Sequence, residues 1–253
     1  MTENTKSRIR TNPIANLCIV NNSTPVVVFG NIEKSKVATL GINPSKNEFL
    51  DNLNALLSGD QKRFETLNSL EASDLSNLTD IQVKKVYDAC IGYFKKNPYR
   101  KWFDQLENNI LVKFNVSYYL DTACHLDVVQ WATDPIWRNL DQNVKDTLVR
   151  NDIGFLETQL CEYRIEILLI NGNTAIDIFR KYFKPTLIKQ TTLNVNDDNK
   201  VETCKVYQFE LKLCDKIIKA YAWSKNLQSS IGLTNKMKNE ISNWVGQQYI
   251  RKE

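Results

Sequence analysis

The chain has one histidine, His125, and no Cys-x-x-Cys pair among its six cysteines, Cys18, Cys90, Cys124, Cys161, Cys204 and Cys214. Structural zinc and cysteine-bound iron–sulfur clusters need grouped thiolates or imidazoles, so neither is expected, nor any other cofactor. The scattered cysteines read as small buried apolar residues. Phosphate-cradling loops are also missing. No Gly-x-x-x-x-Gly-Lys-[Ser/Thr] occurs, and no Gly-x-Gly-x-x-Gly follows a strand, which weighs against ATPases and dinucleotide oxidoreductases. With a single histidine and no Gly-x-Ser-x-Gly, a serine-hydrolase triad is disfavoured. No apolar run reaches about 18 residues, so no spanning helix is expected. Met1–Arg10 has no apolar signal stretch. The expectation is a soluble cytoplasmic protein without a membrane partner.

What is present suits a folded enzyme-sized chain. At 253 residues, 42% hydrophobic and 10% aromatic, it can bury a sizeable core, which argues against global disorder. The charge is mild at +4 but uneven. From Lys200 onward there are 10 basic and 5 acidic side chains, against 3 and 7 over Asp121–Leu160. A basic face toward nucleic acid is one consequence, a solvated lysine-rich surface the other.

Along the chain, Pro25–Phe29 and Lys36–Leu40 read as two strands, the second running into Gly41-Ile42-Asn43-Pro44-Ser45. Residues 51–110 look helical. Ile81, Val83, Val86, Tyr87, Cys90, Ile91 and Phe94 recur at helical spacing, and Thr79…Gln82 forms a capping-box pattern. A strand is expected at Val116–Leu120, followed by a loop over Asp121–Asp127. Another helix carries Phe155, Leu156, Gln159 and Leu160. Ile165–Ile170 reads as a buried strand ending at Asn171-Gly172-Asn173, with a helix after it. Asn194–Asn199 reads as a loop. Tyr207–Leu213 alternates and pairs with Ile217–Trp223 as a hairpin, and residues 233–250 close the chain as a helix. Strands separated by helices imply a mostly parallel sheet, in which ligands bind beyond the strands' carboxyl ends. Three such ends carry polar loops: Gly41–Ser45, Asn171–Asn173 and Trp223–Ser230.

Leu40-Gly41-Ile42-Asn43-Pro44, Asn171-Gly172 after a strand, and the late strand and loop Trp223-Ser224-Lys225-Asn226-Leu227-Gln228 occur in this order across residues 25–245. In these features the chain resembles the uracil-DNA glycosylase superfamily, and its Gly-Ile-Asn-Pro most resembles the thymine/uracil mismatch branch. The resemblance implies a three-layer α/β/α fold with a central, mostly parallel sheet. It also implies one catalytic domain over residues 25–253 after an extension of residues 1–24. The late loop departs from the family: Trp223-Ser224-Lys225 replaces both His-Pro-Ser and Met-Pro-Ser. Ser45 follows Pro44, where mismatch members often have glycine. The superfamily includes an anti-phage glycosylase acting on glucosylated hydroxymethylcytosine, so phage defence and repair are both open.

Cleaving an N-glycosidic bond leaves an oxocarbenium-like sugar and a base carrying negative charge. Water attacking such a sugar needs positioning more than deprotonation. Asn43 stands where the superfamily places its water-directing residue, with Ile42 beside the base. The other function of an Asn before proline is to cap a turn. Donors to the departing base are sought in Ser224, Lys225 and His125, with Asp127 orienting His125 or assisting the water; the other readings are a structural hydrogen-bonding histidine and an Asp127 that caps its loop. Asn171 has the donor and acceptor to read a pyrimidine edge, or else serves as a turn residue before Gly172. By resemblance, Phe49 stacks on the base, the other reading being that Phe49-Leu50 starts a buried helix; Leu227 is the wedge replacing the flipped nucleotide, with Asn226 in the same DNA-contacting loop. Lys225, Lys236 and Lys238 would meet phosphates. Tyr99, Trp102, Trp131 and Trp137 read as core. The expected activity is that of a monomeric, monofunctional, metal-independent DNA glycosylase acting on uracil or a modified pyrimidine. The alternatives are a catalytically silent DNA- or nucleotide-binding module of the same fold and a nucleoside hydrolase.

Overall fold

The computed structural model describes residues 1–197, 200–228 and 233–250, which form a three-layer α/β fold. Its sheet is built from β1 (Val37–Gly41), β2 (Ala123–Asp127), β3 (Ile167–Asn171), β4 (Thr186–Asp197), β5 (Lys200–Leu213) and β6 (Lys216–Trp223), in the order β2-β1-β3-β6-β5-β4. Strands β1, β3 and β6 run parallel, with Leu40 opposite Ile170 and Asn171 opposite Trp223. Their carboxyl ends therefore lie level. Beyond β6 the sheet turns antiparallel through β5 and β4. The helices are α1 (Glu3–Ile9), α2 (Asp80–Ile91), α3 (Arg100–Asn109), α4 (Gln142–Glu162), α5 (Asn173–Phe183) and α6 (Asn235–Ile250). None among the described residues is long and apolar enough to cross a membrane.

The chain divides into two compact units. The first holds Met1–Ile32, Ile42–Pro98 and His125–Tyr163, the second Glu33–Gly41, Tyr99–Cys124 and Arg164–Glu253. Residues 1–24 are part of the first unit: α1 packs on α2 and α4, and Ile9 is fully buried. Arg8 and Asp152 form a buried ion pair at 2.8 Å, and Asp152 also accepts the Gln130 N–H. In the same unit, α2 starts where its capping box requires. The Thr79 backbone N–H donates to Gln82 Oε1 at 2.8 Å, and the Gln82 N–H donates to Thr79 Oγ1. Thr79→Ala removes one of these reciprocal bonds and is expected to lower stability by about 1 kcal/mol, read from the urea midpoint.

Burial pushes the Cys90 and Cys124 thiols up to about 12, so both stay protonated and apolar in character. Trp131 is core, whereas Tyr99, Trp102 and Trp137 are only half-buried.

Several strands differ from expectation. Pro25–Phe29 is buried and extended but belongs to no named strand: Phe29 bridges to His125, and the Val26 N–H donates to the Gln130 carbonyl at 2.8 Å. Val116–Leu120 is a set of turns, and the strand falls on the polar Ala123–Asp127 that reads as a loop. Left-handed Asn115 (φ 53°) and Asp121 (φ 59°) bracket the apolar run and prevent it from extending. Residues 51–79 contain turns rather than a long helix, and the helix that carries Phe155, α4, already begins at Gln142. Strand β4 occupies most of the expected Asn194–Asn199 loop; Asp198 and Asn199 lie outside the described residues, as do Ser229 and Ser230 of the late loop.

Candidate active site

In the first unit, the segment after β1 runs beside the segment after β2. The Ile42 carbonyl accepts the Val129 N–H at 2.8 Å, leaving Ile42 half-buried. Asn43 Nδ2 then donates toward the Trp131 carbonyl and Thr133 Oγ1, both at 3.2 Å, and its own Pro44 carbonyl at 3.1 Å. An amide nitrogen surrounded by three oxygens cannot exchange places with the amide oxygen without repulsion. Asn43 Oδ1 is therefore the outward end, and no donor among the described residues meets it. Asn43 is only partly buried, so that oxygen is open to a water molecule. Lys46 ties the next turn, bonding Asn54 and Asp134 at 2.9 Å each. Asp134 also lines a cavity of about 390 Å³ with Ile19, Leu50 and Asn54.

His125 and Asp127 are neighbours in β2, 4% and 6% exposed, with His125 Nε2 3.3 Å from Asp127 Oδ1. Alternating strand geometry puts both side chains on one face, where His125 meets the edge of Phe29. Phe49 is 1% exposed and stacked on Phe64, so it presents no free face to a base.

Glu48 is a member of the site that sequence reasoning misses. It is 2% exposed, accepts the Tyr93 hydroxyl at 2.9 Å and lies 3.8 Å from Arg63 Nε. Burial raises its carboxyl to about 7. Arg63 and the Tyr93 bond pull it down, and the Asp127 charge adds to the rise. The signal in the chain is weak: one acid four residues beyond Pro44, in a polar Ser-Lys-Asn-Glu run.

In the second unit, Asn171 ends β3 level with Trp223 at the end of β6. Its carboxamide is saturated. Oδ1 accepts the Trp223 indole N–H at 2.7 Å and the Leu227 N–H at 3.0 Å. Nδ2 donates to Asn226 Oδ1 at 3.0 Å and Gln228 Oε1 at 2.6 Å. Asn171 thus organises the late loop, and in this arrangement has nothing left for a pyrimidine edge. The next residue, Gly172, turns the chain at φ 94°, a conformation that only glycine takes without strain. A Cβ added there would stand 3.6 Å from the Asn226 Cβ, ordinary contact, so backbone conformation rather than space demands the glycine.

Leu227 is 1% exposed and packs inward, which does not fit a wedge. Ser224 Oγ accepts the Lys205 N–H at 2.9 Å, tying the loop to β5. Lys225 is half-buried, Asn226 and Lys236 are exposed, and Lys238 bonds Gln105 at 2.8 Å. Among the described residues no group of three His, Cys, Asp or Glu side chains could hold a metal ion. No family model matches this chain, and neither does any curated protein.

Proposed function

We propose that the chain is a monofunctional DNA glycosylase that hydrolyses the glycosidic bond of an extruded uracil or modified pyrimidine and leaves an abasic site. The observation that carries this reading is the Asn43 amide, whose nitrogen is anchored on three oxygens while its oxygen is open. An oxocarbenium-like sugar is electrophilic enough to react with neutral water, so a fixed acceptor at the right place suffices. The loop's origin beyond a parallel strand's carboxyl end adds support. Lys225 and Lys236, exposed or half-exposed in the basic carboxyl-terminal part, suit phosphate contacts. As proposed, the protein acts as a cytoplasmic monomer and uses no metal. Glucosylated hydroxymethylcytosine in phage DNA is one candidate substrate.

The test is a panel of oligonucleotides carrying uracil, a thymine–guanine mismatch, hydroxymethyluracil, and hydroxymethylcytosine with and without glucose, scored for abasic sites. Asn43→Ala is expected to slow the best substrate by at least roughly tenfold, the cost of losing about 1.4 kcal/mol of positioning. Full activity in that variant refutes the role of Asn43.

The saturated Asn171 amide and the buried Phe49 and Leu227 favour a second reading, a DNA-binding module without catalysis. Salt-sensitive DNA binding with no abasic sites on any substrate selects it.

A further inference from the structure

We infer that Glu48 is a positioning residue: it anchors the far end of the loop that begins at Asn43 and so governs how Asn43 presents its oxygen. The inference rests on the glycosylase reading for what Asn43 does, and on geometry within the first unit for everything else.

Only four residues separate Asn43 from Glu48. Ser45 accepts the Asn47 N–H at 3.2 Å and starts the short 3₁₀ turn Lys46–Glu48. That turn has two outside ties. Lys46 binds Asn54 and Asp134 at the surface, where such bonds are screened and weak. Glu48 points inward and takes the Tyr93 hydroxyl bond out of water, where a hydrogen bond to the carboxyl is strong. Arg63 reinforces this end, donating to the carbonyls of Asn47 and Asn97. The strong anchor is therefore Glu48.

Its surroundings make the anchor sensitive to charge. Its partner Tyr93 belongs to a box of rings: Phe64 stacks on Tyr93 at 5.2 Å and on Phe49 at 5.5 Å, and Phe29 meets Tyr93 edge-on at 4.9 Å. The charged or titratable groups facing it are Arg63, Tyr93 and Asp127, with His125 beside Asp127. A neutral carboxyl fits this box. An ionised one stands among aromatic rings and near a second carboxylate, and Arg63 has already committed N–H groups to backbone carbonyls. Ionisation then draws in water or turns the side chain outward, and the loop loosens. With a midpoint near 7, the carboxyl passes from roughly nine-tenths neutral at pH 6 to nine-tenths ionised at pH 8.

The experiment compares the parent chain with Glu48→Gln, which is uncharged at every pH, and Tyr93→Phe, which removes the bond favouring the ionised form. Backbone hydrogen exchange over residues 45–50 is measured from pH 6 to 8, corrected for its intrinsic pH dependence, alongside abasic-site formation on the best oligonucleotide. In the parent protein, corrected exchange is expected to rise roughly tenfold and the reaction rate to fall roughly tenfold, following the neutral fraction. Glu48→Gln is expected to be flat in both, and Tyr93→Phe to move the exchange midpoint upward. The inference is overturned if the parent shows no transition, or if Glu48→Gln keeps the same one. If Glu48→Gln does not fold, an unmoved midpoint in Tyr93→Phe overturns it. An exchange transition without abasic sites on any substrate sinks the glycosylase reading and leaves the Glu48 anchor standing.

Discussion

Asn171→Leu is expected to destabilise the protein by about 3–5 kcal/mol, measured by urea unfolding. The leucine keeps the bulk of the side chain and removes every polar contact. Two donors would be orphaned: the indole N–H of fully buried Trp223, and the backbone N–H of Leu227, whose residue is 1% exposed. A buried donor left without an acceptor costs about 1–3 kcal/mol. The bonds to Asn226 and Gln228 add less, because Asn226 is exposed and Gln228 half-buried, so water can substitute. A double-mutant cycle isolates the central claim. In a Trp223→Phe background, one orphan no longer exists, and Asn171→Leu should cost about 1–3 kcal/mol less. Equal costs in both backgrounds would mean that the bond from the Trp223 indole to Asn171 adds nothing to stability.

The second large effect is a pH dependence of stability that Glu48→Gln removes. The folded protein holds the Glu48 proton more tightly than the unfolded chain, from an ordinary value of 4.5 to about 7. The native state therefore binds more protons in that interval, and stability falls as pH rises through it. The contribution is complete below pH 4.5, declines between 4.5 and about 7, and is gone above. A rise of that size corresponds to about 3 kcal/mol. Buried His125 and Asp127 lie in the same unit, so the comparison is made as a difference between parent and Glu48→Gln at each pH. The difference is expected to move by about 3 kcal/mol in favour of Glu48→Gln from roughly pH 4.5 to 8. A constant difference over that range would show that Glu48 ionises in the native protein as it does in the unfolded chain.

The parts of the fold that are readable from sequence share one property: local pattern and tertiary burial agree. Ile167–Ile170 is apolar on both faces and lies in the middle of the parallel strands. In Tyr207–Leu213 the apolar Phe209 and Leu211 are buried and Lys212 is exposed, although Gln208 is buried with them. Val83, Val86, Tyr87 and Cys90 make the buried stripe of α2, although Ile81 of the same run is 72% exposed. Elsewhere pattern and burial diverge. Strand β2 reads Ala-Cys-His-Leu-Asp, and its polar members are tolerated because His125 and Asp127 face each other out of water. Strand β4 mixes Thr, Gln, Asn and Lys because it lies at the sheet's edge and is mostly exposed. Asn43 is legible from its place between Ile42 and Pro44. The partners that orient it, Trp131 and Thr133, lie about ninety residues away and leave no local mark. Asn171 is legible as a residue whose amide matters, but its four partners come from the end of β6 and the loop after it, over fifty residues later. Glu48 escapes for the same reason, since Tyr93 and Arg63, the groups that meet its carboxyl, lie well beyond it in the chain.

Asn43 and Asn171 both resist one slow chemical change, for opposite reasons. Deamidation proceeds by attack of the following residue's backbone nitrogen on the side-chain amide, closing a succinimide ring. Pro44 has no N–H to lose, so at Asn43 that ring cannot close. Asn171 precedes glycine, the neighbour that permits cyclisation most readily. There the Gly172 N–H is held by the Trp223 carbonyl at 2.9 Å, and four hydrogen bonds keep the carboxamide from swinging onto it. Both turning points of the loops are thereby protected against spontaneous ageing to aspartate, one by covalent structure and the other by being clamped.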